Sequence, residues 1–273
     1  MKFADLHLHT RFSDGTLSPQ ELVCRSIKAG LSAIAITDHD TVAGISPAME
    51  EAAATDLEVL PGIELTAEHE GIEIHMLGYL FDYKNAELLE RIAELNKIRV
   101  ERVYKIINKL KESGLSLDPQ KVFDISGGGI VGRLHIARAM AAEGLVANIY
   151  EAFQKYIGDK GPAFVLGFRF SPRQAIELIR GAGGVPVLAH PYLMHNDELI
   201  PEFVGFGLMG LEAYYPEHSQ GMVNFYLDMA KTHGLVVTGG SDFHGAVKPD
   251  VKLGCLKLDY KLVEALKLAK EKL

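Results

Sequence analysis

Apolar and polar positions in the first part of the chain follow two alternating patterns, one typical of buried strands and one typical of amphipathic helices. Ser18-Pro19-Gln20-Glu21 predicts a helix start, because Ser caps the first turn, Pro fits it and Glu completes a capping box. Short apolar runs that end in polar residues follow the helical stretches. This strand-then-helix rhythm predicts a parallel sheet of βα units, either open or closed into a barrel. The first predicted strand begins at residue 3. The others lie at 31–36, 58–64, 71–79, 185–191, 207–212, 234–244 and near 255–258.

The rhythm breaks in residues 85–165, where the pattern becomes helical. Apolar residues from Leu88 to Leu110 recur at helical spacing and predict one long amphipathic helix. Two shorter helices are predicted near 134–143 and 149–157. We therefore predict a barrel made of residues 1–84 and 166–273 and a helical insert, residues 85–165, that folds beside it.

Length and charge narrow the class of protein. A chain of 273 residues with 48% hydrophobic and 23% charged content is ordinary for a globular protein, with room for one large α/β barrel or two smaller domains. Its 28 basic and 36 acidic residues give a net charge of −8. That balance argues against binding to long duplex nucleic acid, which needs an extended basic surface. The same charge balance is compatible with binding of a small phosphorylated ligand.

Cysteine content and hydropathy indicate the compartment. Cys24 and Cys255 are too few for a disulfide framework or a thiolate metal site, and we expect both thiols to be buried. No apolar run approaches about 18 residues, and no charged-then-apolar leader precedes the first strand. We therefore expect no membrane segment and a cytoplasmic protein.

The first strand carries the first candidate chemistry. Side chains alternate faces along a strand, so Asp5, His7 and His9 point to the same side, and Asp14 follows in the next loop. Two imidazoles and two carboxylates within ten residues favour a metal site with N and O ligands. The alternative is a pair of partly exposed histidines on an edge strand. A His-x-His pair alone does not decide between them.

Other predicted strands also end in histidine, aspartate or glutamate, and this favours the metal site over the pair of exposed histidines. Six of the eleven histidines fall at such positions, and in a βα barrel these ends share the face that holds the active site. Nine ligands are too many for one ion, so we expect two or three divalent ions, and the absence of thiolate from the set favours Mn, Fe or Zn. Such clusters suit phosphoester hydrolysis. The nine candidate ligands are His7, His9, Asp14, His39, Glu64, His75, His190, Asp242 and His244.

The chain resembles the PHP (polymerase and histidinol phosphatase) family over nearly its whole length, with no departure at a ligand position. The motifs that carry the likeness are Asp5-Leu6-His7-Leu8-His9-Thr10 with Ser13-Asp14-Gly15, Thr37-Asp38-His39, Gly62-Ile63-Glu64, Ile74-His75, Ala189-His190-Pro191 and Gly240-Ser241-Asp242-Phe243-His244. The resemblance implies an α/β fold, a distorted (β/α)7 TIM-like barrel, with a trinuclear metal centre. By position, it implies one metal on His7, His9, Glu64 and Asp242, a second on Glu64, His75 and His190, and a third on Asp14, His39 and His244.

Two acids beside His39, Asp38 and Asp40, do not belong to the implied ligand set. They are predicted either to orient ligand histidines through hydrogen bonds or to be ordinary loop acids. The residue types alone leave both interpretations open.

The insert carries candidate substrate-binding residues. Arg99 and Arg102 lie three apart on the long helix, and Arg133 and His135 begin a helix after a glycine-rich turn. A helix start and forked guanidinium groups suit a phosphate that is held rather than cleaved. The alternative for Arg99 and Arg102 is a solvated helix face. Within the family, this insert looks most like those of the nucleoside 3′,5′-bisphosphate phosphatases, which overlap with a 5′→3′ exoribonuclease group, although Leu134 stands where Pro is more usual.

These features predict a metal-dependent phosphohydrolase that acts on a nucleotide phosphomonoester, above all a nucleoside 3′,5′-bisphosphate, with short 5′-phosphorylated RNA as a further candidate. A metal-bound water or His135 is the candidate proton donor to the leaving group. One alternative is a histidinol-phosphate phosphatase, which would need no second phosphate pocket. Another is a non-catalytic metal- or nucleotide-binding module.

Overall fold

The computed structural model describes residues 2–166 and 170–273, so the predicted barrel ranges include residues 1 and 167–169, which lie outside the described part. The strands of that part are β1 (Phe3–Leu8), β2 (Leu31–Ile36), β3 (Glu58–His69), β4 (Ile72–Tyr79), β5 (Val185–Leu188), β6 (Gly210–Tyr214), β7 (Val236–Gly239) and β8 (Leu258–Asp259). They form one sheet in the order β7-β6-β5-β4-β3-β2-β1-β8.

The helices follow the strands and fill the insert. The α-helices are α1 (Pro19–Lys28), α2 (Ile45–Ala52), α3 (Ala86–Glu112), α4 (Pro119–Ser126), α5 (Arg133–Ala142), α6 (Ile149–Ala152), α7 (Pro172–Gly181), α8 (Ile200–Phe206), α9 (Gln220–His233) and α10 (Lys261–Lys270). The predicted capping box of α1 is confirmed, since Ser18 accepts from the Glu21 N–H and Glu21 accepts from the Ser18 N–H. Helix α4 was not predicted, although Asp118 before Pro119 is a typical helix start.

The sheet curls into a nearly closed barrel. The end of β1 meets the segment after β7, where the His9 N–H donates to the Phe243 carbonyl at 3.1 Å. This approach requires glycine at position 240, because a Cβ there would lie 2.4 Å from the His7 backbone nitrogen. The 240–244 motif is thereby brought beside the His-x-His strand, and the predicted α/β barrel is confirmed.

The prediction of a parallel sheet is wrong at β4 and at the short strand β8. The pairs β1–β2, β2–β3, β5–β6 and β6–β7 are parallel, but β4 is antiparallel to both β3 and β5, and β8 is antiparallel to β1. Only Glu70 and Gly71 join β3 to β4, with φ angles of 49° and 86°, which is the geometry of a tight hairpin and too short for a crossover. His75 therefore lies in the first half of its strand, opposite Thr66, and not at a downstream end.

Helix α3 belongs to two apolar cores. Its first half packs with the barrel helices through Leu88, Ile92 and Leu95. Its second half, from Val103 to Leu110, packs in a separate cluster with α4, α5 and α6. The predicted boundary at residue 85 stays a prediction, because one continuous helix crosses from one core to the other.

The expectation of buried thiols is wrong, since both Cys24 and Cys255 are exposed. Cys24 lies on an exposed position of α1, where its thiol is 3.7 Å from the Glu51 carboxylate. Within residues 2–166 and 170–273, no helix combines the length and the apolar character needed to cross a membrane.

Candidate metal centre and substrate cleft

The structure brings all nine predicted ligand side chains together at one end of the barrel. They form four overlapping groups, and within each group the ligand atoms lie no more than 4.8 Å apart. The groups are His9, Asp14, His39 and His244; His7, Glu64 and His190; His7, His9 and Asp242; and His39, Glu64 and His75. His75 lies at this end of the barrel although β4 is antiparallel, because the first half of β4 pairs with the second half of β3.

Glu64 is the centre of the cluster. Its side chain is 1% exposed, and its two oxygens face different histidines. Oε1 lies 2.8 Å from His75 Nδ1 and 3.0 Å from His190 Nε2. Oε2 lies 3.1 Å from the Nε2 atoms of both His7 and His9. One carboxylate therefore lies between two sets of imidazoles, a position that would let it bridge two metal ions.

Asp14 and Asp242 join the remaining histidines. Asp14 Oδ1 lies 3.2 Å from His244 Nε2, and Asp14 Oδ2 lies 3.9 Å from His39 Nε2. Asp242 Oδ1 lies 3.2 Å from His9 Nε2. Asp14 and Asp242, like Glu64, thus each lie beside two or more imidazoles of the cluster.

The donor set fits divalent ions. Three buried ligand atoms, His9 Nε2, Asp14 Oδ1 and His39 Nδ1, make no hydrogen bond of good geometry with the described residues. Buried polar atoms without partners are costly, yet each of these lies within 3.4 Å of another ligand atom. Short contacts without hydrogen-bond alignment are expected where lone pairs converge on shared cations. Imidazole and carboxylate without thiolate suit Mn, Fe or Zn.

The electrostatics also favour bound cations. Burial alone would raise the pKa of Glu64, but the imidazoles of His39, His7 and His75 hold it well below its usual range. Burial would lower the pKa of His75, yet the Glu64 carboxylate raises it to about 10. The Glu64 carboxylate is therefore ionised and favours positive charge on the imidazole of His75. A bound metal ion would supply that charge in place of protons.

Glu212 supports two ligand histidines and was not predicted as a site residue. It is fully buried, and its Oε1 lies 2.9 Å from His7 Nδ1, while Oε2 accepts from the His190 backbone N–H at 2.8 Å. His7 Nε2 faces the cluster, so Glu212 holds the opposite ring nitrogen. The only sequence signal was an acid at the end of the predicted strand 207–212.

Asp38 and Asp40 organise loops. Asp38 accepts from the Thr10 N–H, the Thr10 hydroxyl and the Ser13 hydroxyl at 2.6–2.7 Å. Asp40 accepts from the Thr66 N–H and pairs with Arg99. Both acids are fully buried, and they position the loops that carry the ligands.

The cluster opens into a cleft of about 300 Å³ whose opposite wall is the insert. The solvated-face alternative for Arg99 and Arg102 is wrong, since they are 9% and 6% exposed and line the cleft. Arg99 pairs with Asp40 at 2.5 Å, and Arg102 pairs with Glu73 at 2.9 Å. Arg133, also in the lining, bonds Glu73 at 2.9 Å and Asp159 at 2.6 Å.

His135 lies elsewhere. It is 2% exposed, and its Nδ1 accepts from the Gly132 N–H at 3.1 Å, which caps the start of α5. Burial lowers its pKa to about 4, so it is a neutral imidazole near pH 7. It lines a neighbouring cavity of about 180 Å³ together with Arg11 and Arg138. The geometry gives His135 a capping role and does not support the prediction that it is the proton donor.

A barrel-end cluster of imidazoles and carboxylates, facing an arginine-lined cleft, defines the class of protein as a metal-dependent hydrolase of phosphate esters. The chain belongs to the PHP domain family, whose model matches residues 5–163.

Similar proteins match most of this chain. The chain is 34% identical over 248 residues to a 5′-3′ exoribonuclease of Haemophilus influenzae, covering 88% of this chain and 89% of that protein. It is 30% identical over 250 residues to a 3′,5′-nucleoside bisphosphate phosphatase of Chromobacterium violaceum, covering 88% and 86%. A solved structure from Bifidobacterium adolescentis, assigned as a metal-dependent phosphoesterase, superposes with a TM-score of 0.89 at 32% identity and covers 98% of this chain and 96% of its own.

Proposed function

We propose that this enzyme releases phosphate from a nucleotide phosphomonoester, specifically a nucleoside 3′,5′-bisphosphate. The observation that carries the proposal is one cleft in which the nine-residue cluster faces three arginines of the insert, of which Arg99 and Arg102 are buried and Arg133 is partly exposed. The cluster suits the phosphate that reacts, and the arginines suit a second phosphate that is only held.

The nine side chains would hold two or three divalent ions of Mn, Fe or Zn. Pairwise contacts between the side chains support one ion on His7, His9, Glu64 and Asp242, one on Glu64, His75 and His190, and one on Asp14, His39 and His244. The four spatial groups overlap these sets without matching them, since His9 also lies with Asp14, His39 and His244. Such ions activate water for attack on phosphorus and neutralise the phosphate oxygens. The chain's own residues orient this centre, since Glu212 holds the His7 ring and Asp38 holds the loop between His9 and Asp14.

Arg99, Arg102 and Arg133 would bind the second phosphate. Their guanidinium groups are held by carboxylates and keep a fixed geometry, which lowers the entropy lost on binding. Arg133 is also the first residue of α5, where backbone N–H groups and the helix dipole favour an anion. A phosphate here would lie across the cleft from the cluster.

Short 5′-phosphorylated RNA is a second candidate substrate, favoured by the likeness to a 5′-3′ exoribonuclease. A cleft of about 300 Å³ suits one terminal nucleotide, and the net charge of −8 speaks against long duplex nucleic acid. The two exposed free thiols are compatible with a reducing cytoplasm.

A histidinol-phosphate phosphatase could use the same cluster, but an amino-alcohol phosphate has no second phosphate for the three arginines. A non-catalytic module is disfavoured because all nine ligand side chains converge in space. The arginine wall is therefore the feature that separates the candidate substrates.

Arg133→Ala should raise the KM for adenosine 3′,5′-bisphosphate about tenfold or more, because charged hydrogen bonds contribute roughly 1.5–3 kcal/mol. Turnover of histidinol phosphate should change little. Steady-state phosphate release on both substrates measures the difference. Arg138→Ala is the matched control, since Arg138 lies on the same helix but lines the neighbouring cavity. An equal effect of Arg133→Ala on both substrates would contradict a second-phosphate site.

A further inference from the structure

Glu73 is an acid in the lining of a cleft that we assign to a doubly phosphorylated substrate. A carboxylate there repels phosphate, so its position requires a reason. Its side chain is only 16% exposed, and it lies on β4 two residues before the ligand His75, on the same face of the strand. Its two oxygens contact three side chains.

The first contact is with His75. Glu73 Oε1 lies 3.4 Å from His75 Nε2, while His75 Nδ1 lies 2.8 Å from Glu64 Oε1 and 3.3 Å from His190 Nε2. Nδ1 therefore faces the ligand cluster, and a ligand nitrogen must present a lone pair. The ring proton then belongs on Nε2, where Glu73 is the acceptor that fixes this tautomer and the tilt of the ring.

The other contacts are with two arginines of the insert. Arg102 of α3 donates to Oε2 at 2.9 Å, and Arg133 of α5 donates to Oε1 at 2.9 Å. These guanidinium groups repel each other, and the carboxylate between them offsets the repulsion. Because β4 belongs to the barrel sheet and the arginines to the insert, Glu73 fixes the insert wall relative to the cluster.

We propose that Glu73 is a positioning residue that sets the orientation of His75 and the placement of Arg102 and Arg133 together. The arginine half of this role rests on the proposed function above, whereas the His75 half depends only on the ligand cluster. Glu73 thereby fixes the distance between the site of the reacting phosphate and the site of the second phosphate.

Glu73→Gln tests the role, because glutamine keeps the shape but has one acceptor oxygen and turns an amide NH2 toward a donor. The bound metal per chain is measured after dialysis against graded chelator, together with kcat and KM for adenosine 3′,5′-bisphosphate. We expect metal retention to weaken by about 10- to 100-fold, as for other carboxylates behind ligand histidines, and KM to rise. Glu70→Gln, an exposed acid at the turn of the same hairpin, should match the unmodified chain in both.

A double variant separates positioning from simple loss of fold. If Glu73 acts through Arg133, Glu73→Gln should raise KM much less in the Arg133→Ala background than in the unmodified chain. If Glu73→Gln melts early, Glu73→Asp replaces it, since it keeps the charge but is too short to reach all three partners.

Unchanged metal retention and unchanged KM in a variant that melts like the unmodified chain would overturn the proposal. Preference of the unmodified enzyme for histidinol phosphate would overturn the proposed function instead. In that case the metal-retention result would still decide the role of Glu73 toward His75.

Discussion

Glu64→Gln is expected to abolish phosphate release, lowering kcat/KM by more than about a hundredfold, the upper end of the losses seen for residues that only support ligands. The two oxygens of Glu64 face different pairs of histidines at 2.8–3.1 Å. Glutamine keeps one acceptor and replaces the other oxygen with an NH2 group, which cannot serve as a ligand. The variant would therefore lose the carboxylate that contacts both His75 with His190 and His7 with His9.

Metal content and activity of Glu64→Gln should fall together, measured by elemental analysis and by phosphate release. Glu68→Gln, a half-buried acid further along the same strand, serves as the control. Full turnover by Glu64→Gln with undiminished metal would show that Glu64 is not a bridging ligand.

Glu212→Gln is expected to lower kcat/KM by about 10- to 100-fold without touching a ligand atom. Glu212 has two oxygen acceptors for two buried groups, His7 Nδ1 and the His190 N–H. The amide oxygen of glutamine can accept a hydrogen bond from only one of these two N–H groups. The other N–H group would then face the amide NH2, which is also a donor. An unpaired buried donor costs about 1–3 kcal/mol.

The His190 backbone makes this change more severe. Its φ angle of 23° is unusual for a residue with a side chain, and the hydrogen bond to Glu212 helps to hold it. Urea unfolding should show a stability loss of about 1–3 kcal/mol in the variant. Glu202→Gln, an exposed acid on α8, should leave both stability and activity unchanged. A Glu212→Gln variant with normal activity would mean that His7 needs no partner on Nδ1.

The convergence of the nine candidate side chains could be predicted because its signal is local. His7 and His9 alternate along a short apolar strand, and Asp242 and His244 follow another apolar run. Strand-end chemistry of this kind depends on residues within a few positions of each other, so one sequence is enough to detect it.

The direction of β4 could not be predicted from its apolar pattern, because alternation has the same period in parallel and antiparallel strands. The decisive feature was the two-residue connection Glu70-Gly71, which leaves no room for a crossover helix. Turn length carried more information here than the strand pattern.

The supporting residues were missed for another reason. Glu212 is 205 positions from His7, and Glu73 is 60 positions from Arg133. Likewise, the spacing of Arg99 and Arg102 is the same on a solvated face and on a buried one. The two arginines are buried because they pair with Asp40 and Glu73 of the barrel, and the sequence spacing does not show these pairs.

Phosphate release by Mn-loaded protein from adenosine 3′,5′-bisphosphate, with AMP and histidinol phosphate assayed beside it, tests the central claim most directly. A metal cluster facing an arginine-lined cleft predicts strong preference for the bisphosphate. Equal or better turnover of histidinol phosphate would keep the metal cluster but contradict the assignment of the arginines to a second phosphate.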